Sequence, residues 1–270
     1  VDVITSLGLR MIFAVPMFIV MALWGQRSNA TPLREHLGGV LVLGFTGYYL
    51  ASTLDFLGLA LISASLERLI LYVSPTLVLV FARLRGGPPI RTRQWVGMLI
   101  SYAGVLTAFG TEAFRTTAVV DRAPHEVLLG TALVLGSAAS FAVYIALSGE
   151  LVLRFGALRL AGLASIVASV LCIVQFLVLR PQLVATVDRW MTPRVFGLSL
   201  LNATVCTAMP MWMVMRGIQI VGSGEAAQIG MIGPLSTMLL AVILLGEHFT
   251  LPLVAGTVLV LLGITWLTRR

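Results

Sequence analysis

The chain has 270 residues, of which 59% are hydrophobic and 11% charged, with a mean hydropathy of +1.01 and a formal net charge of +7. Soluble globular domains run at about 45–50% apolar and about 25% charged. A water-soluble enzyme or binding domain is therefore excluded, and an all-α polytopic membrane protein is expected. All 18 basic residues are arginine and lie mostly in connecting segments, which ties the charge to membrane orientation and not to nucleic acid.

A span needs about 20 mostly apolar residues. In chain order, about nine such stretches occur, at roughly 3–24, 38–60, 65–84, 94–111, 127–147, 158–179, 195–216, 224–245 and 251–268. The longest polar connection, 112–126, divides the chain into 1–111 and 127–270. Lipid-embedded backbone must satisfy its own hydrogen bonds, so these stretches form a helical bundle. Cys172 and Cys206 both lie in apolar spans, and neither a disulfide nor a metal site is expected of them.

The two halves share their punctuation at a fixed offset of 159 residues. Gly58 matches Gly217, Pro75 matches Pro234, Gly87 matches Gly246, Gly97 matches Gly256 and Gly104 matches Gly263. Glycine and proline fix backbone shape, so five coincidences in one register point to a duplicated unit. With the C-terminus placed in the cytoplasm, the inner side holds Arg27, Arg34, Arg83, Arg85, Arg91, Arg93, Arg154, Arg159, Arg216, Arg269 and Arg270. The outer side holds Arg68, Arg115, Arg122, Arg180, Arg189 and Arg194, so the excess lies inside. The loops at Gly87 and Gly246 then fall on opposite faces, and the two copies are inverted. An inverted repeat needs an odd number of spans per copy. The second half supplies five and the first shows four, so a further helix is expected before Val1.

The residues that carry a family resemblance are Gly233-Pro234 with LLGEHFTLPLVAGTVLVLLGI (244–264), answered in the first half by SASLERLILYVSP (63–75) and RTRQWVGMLISYAGVL (91–106). These resemble the EamA domain, the five-helix unit of the drug/metabolite transporter superfamily. The resemblance implies two inverted five-helix repeats, ten helices in the full protein, a central solute cavity and no cofactor. The Gly97/Gly104 and Gly256/Gly263 spacing is similar to the last helix of the small four-helix exporters of that superfamily. One departure is Gly87-Pro88 in the first half against Gly246-Glu247 in the second.

Pro75 and Pro234 fall mid-helix at equivalent points, where a missing N–H bends the helix; a hinge role and a passive kink are both open. The paired glycines read as close-packing surfaces. Charges at membrane depth are costly and mark function unless they are paired or snorkel. Arg10, Asp55, Glu67 and Arg68 fall toward the outer ends of their helices, where they suit a gate. Glu225 opens the helix of Pro234, where it suits either the helix dipole or proton coupling. Tyr48, Tyr49, Tyr72, Tyr102, Ser140, Tyr144, Asn202, Thr204, Trp212 and Gln228 are the polar and aromatic side chains at depth. Of these, Tyr49, Tyr72, Tyr144, Asn202 and Gln228 are expected to touch substrate, on helices that surround the cavity in the family. Interhelical hydrogen bonding is the alternative for each. Trp212, with Met209, Met211 and Met213, offers an adaptable apolar wall on some faces of its helix.

His36, His125 and His248 are isolated, and no phosphate-binding loop, nucleophile elbow or zinc motif occurs, so an enzyme is not expected. The expectation is a secondary transporter, monomeric or dimeric, in a bacterial inner membrane with a cytoplasmic C-terminus. It would export small metabolites such as amino acids, or drug-like solutes, with protons as a candidate coupling ion. The alternatives are a nucleotide-sugar or organic-solute exchanger of the same superfamily, and a membrane interaction protein that moves no solute.

Overall fold

A computed structural model describes residues 3–28, 31–62, 64–87, 89–119, 123–179, 182, 191–233, 236 and 251–268, and among these there is no β-strand. The helices run α1 (Val3–Ser28), a 3-10 turn (Leu33–His36), α2 (Leu37–Gly44), a π-helical segment (Phe45–Leu50) and α3 (Ala51–Leu59). They continue with α4 (Ala64–Leu71), α5 (Ser74–Leu84), α6 (Thr92–Val119), α7 (Pro124–Phe155) and α8 (Ala157–Leu179). Next come α9 (Pro193–Ala203), a second π-helical segment (Thr204–Ala208), α10 (Met209–Val221), α11 (Ser223–Ile229) and α12 (Leu251–Thr268). Among the described residues, five helical stretches are long and apolar enough to cross a membrane: Leu7–Arg27, Leu33–Leu59, His125–Phe155, Ala157–Leu179 and Pro193–Val221.

Two sequence expectations need correction. The polar connection 112–126 is mostly helix, because α6 runs to Val119 and α7 starts at Pro124. It carries charged and hydroxyl residues, but no glycine or proline interrupts 111–123, and polar side chains alone do not stop a hydrogen-bonded ladder. The stretch 65–84 is not one bent helix. It is two helices, parted at Tyr72 and Val73, and Pro75 stands in the first turn of α5. Its ring lacks an N–H and crowds the preceding turn, so the ladder lapses there. Val73 N–H reaches only to Ile70, at 3.0 Å, and four-residue bonding resumes with Leu77 to Val73 at 3.2 Å.

The chain packs as two compact units, 1–50 with 147–223 and 51–146 with 224–270. Each unit draws on both halves of the sequence, so packing units and sequence halves do not coincide.

In the first unit α1 lies along α8. A methyl group placed on Gly162 would sit 2.6 Å from the Phe18 carbonyl and 2.5 Å from the Ala22 nitrogen, so the two backbones nearly touch. Gly8 faces Phe176 while Gly25 faces Arg159, so the helices are antiparallel. Met11, Ala14 and Phe18 from α1 form a core with Cys172, Ala203 and Ala208. One end of the unit is closed by polar contacts. Arg159, 5% exposed, donates to the Thr31 carbonyl at 2.8 Å, and Thr31 Oγ1 donates to the Arg154 carbonyl at 2.7 Å. Arg154 also meets His36 Nε2 at 3.2 Å. This end gathers Arg154 and Arg159, which the sequence places on one face of the membrane.

In the second unit α6 packs on α12. A Cβ at Gly104 would fall 2.6 Å from the Gly256 carbonyl oxygen. One at Gly263 would fall 2.6 Å from the Gly97 carbonyl oxygen and against Ser101. The helices are therefore antiparallel. Because Gly256 and Gly263 are the repeat partners of Gly97 and Gly104, exchanging the two copies turns one contact into the other. That is the signature of a two-fold axis perpendicular to the helices, as an inverted repeat requires. Arg93 Nε donates to the Trp266 carbonyl at 2.7 Å, which puts a cation on the C-terminal end of α12. Not every repeated glycine has this use. Gly58 is wedged against Val134 and Gly130 of α7, whereas a Cβ at Gly217 meets nothing within 4 Å among the described residues.

The second copy breaks within one residue of where the first does. Helix α11 ends at Ile229, and Met231 N–H reaches back three residues to Gln228 at 3.1 Å. The two breaks meet. Tyr72 Oη donates to the Met231 carbonyl at 3.0 Å, and Met231 is the residue 159 positions on from Tyr72. Pro234, expected as the second hinge, lies outside the described residues.

Two stability tests follow from these contacts. Gly104→Ala and Gly263→Ala should each lower the melting midpoint of the detergent-purified protein, at a cost of about 1–3 kcal/mol for overpacking. Gly217→Ala, with open space around it, should leave the midpoint unchanged or raise it. Tyr72→Phe should cost about 1–3 kcal/mol, because the buried Met231 carbonyl loses its donor. An unchanged midpoint in Tyr72→Phe would show that this bond does not hold the breaks together.

Candidate functional site

In the first unit the guanidinium of Arg10 lies over the Tyr48 ring, 5.0 Å from its centroid. Its Nε is shut off from solvent and has no hydrogen-bond partner among the described residues. Cys172 is within electrostatic reach of Arg10, and Thr207 is within hydrogen-bonding reach of Tyr48. Thr207 itself donates to the Asn202 carbonyl at 2.8 Å, five residues back, as a π-helical segment permits. Tyr49, chosen from the sequence ahead of Tyr48, meets Phe45 with ring centroids 5.8 Å apart and planes tilted by 41°, and both tyrosines pack against the Met11–Phe18 core. Asn202 is half-buried. Trp212 is 39% exposed, and Met209 and Met213 are more so. Met211 alone of the three methionines turns to the core, where it accepts from Ser165 Oγ at 3.4 Å. Ser169 Oγ likewise donates to Met11 Sδ at 3.3 Å.

In the second unit Gln228 is 3% exposed, and neither Oε1 nor Nε2 has a hydrogen-bond partner among the described residues. It stands in the last turn of α11, beside the break at which Tyr72 meets Met231. Tyr72 and Tyr144 are buried, the latter with Phe141 at 5.7 Å. Thr76 and Tyr102 share a hydrogen bond between α5 and α6. Asp55 Oδ1 is likewise buried and without a partner among the described residues. Glu67, in the first turn of α4, is within electrostatic reach of both Asp55 and Arg68. Glu225 is exposed in the first turn of α11, where it complements the helix dipole.

Of the residues expected from sequence, Tyr72 lies in the first break and Gln228 beside the second, which the Tyr72 hydroxyl reaches, and Asp55, Glu67 and Arg68 form one charged group. Arg10 belongs to the other unit and has an aromatic partner there. Sequence reasoning passed over the pair of π-helical segments and ranked Tyr48 below Tyr49. Adjacent helical residues point about 100° apart, and the choice between them depends on where α1 lies.

A family model for the EamA-like transporter family matches residues 1–110 and 128–269. The chain is 26% identical over 251 residues to "Uncharacterized transporter YcbK" of Bacillus subtilis (strain 168), covering 92% of this chain and 77% of that protein. It is 27% identical over 266 residues to "Uncharacterized transporter YvbV" of the same organism, covering 95% and 79%. A solved structure described as "Crystal structure of protein" superposes with a TM-score of 0.77 at 18% identity, covering 99% of this chain and 89% of the other, and so shares the fold. With both halves matched and the helical, membrane-spanning architecture in place, the chain belongs to the EamA-like transporter family, a family of membrane transporters.

Proposed function

We propose that the protein is a secondary transporter that exports small metabolites, such as amino acids, or drug-like solutes across a bacterial inner membrane. In this reading the C-terminus is cytoplasmic and the halves 1–111 and 127–270 are the inverted repeats. Transport proceeds by alternating access, driven by a proton gradient or by the solute's own gradient.

The observation that carries the proposal is the pair of helix breaks. Both copies interrupt the same helix, at 72–73 and 230–231, and the interruptions are joined by one hydrogen bond. Interrupted helices in transporters lie where solute binds, because their unpaired backbone groups need polar company. Gln228 adds a buried amide whose donor and acceptor are both free among the described residues. Leaving such a group unpaired costs about 1–3 kcal/mol, which a polar solute removes on binding. The break also suits motion. Few four-residue bonds cross it, so α5 can swing against α4 without loss of a full ladder. Pro75, in the first turn of α5, keeps the ladder from closing. Asp55, Glu67 and Arg68 are the gating group of this unit, and a carboxylate that gains or loses its partner as the helices move is the means of coupling to protons.

Reconstituted full-length protein, screened with amino acids and cationic drugs with and without a pH gradient, tests the reading. Flux of at least one solute class is expected. Gln228→Leu should reduce it about tenfold with the fold intact, and unchanged flux would remove Gln228 from the path. Pro75→Ala should repair the helix, hold or raise the melting midpoint and slow turnover. Turnover at the wild-type rate would rule out the hinge.

A further inference from the structure

We propose that Arg10 is an anion-binding residue of the first unit that takes the carboxylate of the transported solute. This inference rests on the transport reading above and names the chemical class of its substrate.

Depth comes first. Arg10 lies about one helical turn inside Leu7, where its apolar span begins, and Cys172, within its electrostatic reach, lies roughly 10 Å inside the end of α8, at 1.5 Å per residue. Thr207, within hydrogen-bonding reach of Tyr48, stands in the middle of the Pro193–Val221 span. An arginine at membrane depth is expensive, and such residues face a partner or a polar path. Among the described residues of this unit Arg10 has no acidic partner to offset it. The described carboxylates of the unit are Glu35 and Glu150. Glu35 sits in the 3-10 turn that ends at His36, and Glu150 lies one helical turn before Arg154, so both belong to the far end of the unit, where His36 meets Arg154. Along α8 that end is about 20 Å from Cys172. What Arg10 has instead is the face of Tyr48, which attracts a cation but leaves its charge in place. Its Nε–H is buried without an acceptor among the described residues, and a carboxylate oxygen is the kind of acceptor that satisfies such a donor.

The second observation is independent of charge. The π-helical segments begin at Phe45 and Thr204, which are 159 residues apart, the same register that relates the glycines of the two copies. One supplies Tyr48 and the other Thr207, so the two irregular turns converge on the surroundings of Arg10. π-Helical turns open the backbone ladder and are found at functional sites more often than elsewhere. A charged side chain with no counter-ion among the described residues of its unit, set on a ring that one such turn supplies and the other approaches, is arranged for a ligand that brings the opposite charge.

The test uses the full chain and paired probes that differ only in the carboxylate: L-leucine against L-leucinamide and L-phenylalanine against L-phenylalaninamide, with L-glutamate as a further acid. Melting of the detergent-purified protein and counterflow in liposomes are both read. The acids should raise the wild-type melting midpoint and be carried, and the amides should do neither. Arg10→Gln should abolish the shift and lower acid flux at least tenfold, while Arg10→Lys should keep part of both. The inference is overturned if acids and amides act alike on the wild type, if no acid shifts its midpoint, or if Arg10→Gln responds to the acids as the wild type does. Should Arg10→Gln fail to fold, the acid-against-amide comparison on the wild type still decides. An acid-specific midpoint shift without counterflow of any probe would sink the transport reading and leave the anion site standing.

Discussion

The contact between α6 and α12 is the constraint on which the rest of the second unit depends. Lipid gives two helices no hydrophobic reason to associate, so close backbone approach has to supply the attraction. Gly104 against Gly256, and Gly263 against Gly97, bring carbonyl oxygens to within 2.6 Å of where a side chain would begin. Any larger residue pushes the helices apart. The antiparallel course of this pair follows from the same contacts, and so does the inversion of the two copies. The first unit solves the problem in a related way, with α1 and α8 antiparallel and Gly162 set against the backbone of α1.

Rigid seams of this sort make the irregular segments stand out. The unit that contains the glycine seam also contains the two interrupted helices, tied by Tyr72 to Met231. The unit that contains α1 and α8 also contains both π-helical segments. Each unit thus pairs a stiff antiparallel element with a place where the ladder is loosened. Two of the three buried polar side chains with partnerless atoms among the described residues stand at the loosened places, Gln228 beside the break and Arg10 beside the π-helical turns, while Asp55 stands in α3. In a membrane, where backbone and side-chain polar groups have no water to fall back on, that coincidence is the physical basis for reading these places as functional.

Much of this was legible in the sequence, and the reason is specific. Gly97, Gly104, Gly256 and Gly263 announced the seam because a missing side chain has one common use between membrane helices. Pro75 announced the break because its ring denies the ladder a donor, although the sequence suggested a bend and the helix in fact stops. The continuation of α6 to Val119 was hidden by polar composition, which says where water is and not where a helix ends. The interleaving of the two halves into packing units was hidden for a different reason. Apolar faces match many partners equally well, so residues 1–50 carry no local mark that they join 147–223. The π-helical segments had no mark either. FTGYYL and TVCTA share no residue type that demands a wider turn.

A seam whose two halves change places when the copies are exchanged has a further property. One copy of the sequence suffices to specify both of its surfaces, so the face carrying Gly97 and Gly104 is complementary to itself turned over. The fused chain therefore holds, within a single polypeptide, an association that two separate identical subunits inserted in opposite senses can make. Fusion leaves the geometry of the joint unchanged. What it adds is freedom for the two sides to diverge, and the chain has used that freedom: Gly58 is wedged in its helix contact while a side chain at its counterpart Gly217 would meet nothing within 4 Å among the described residues.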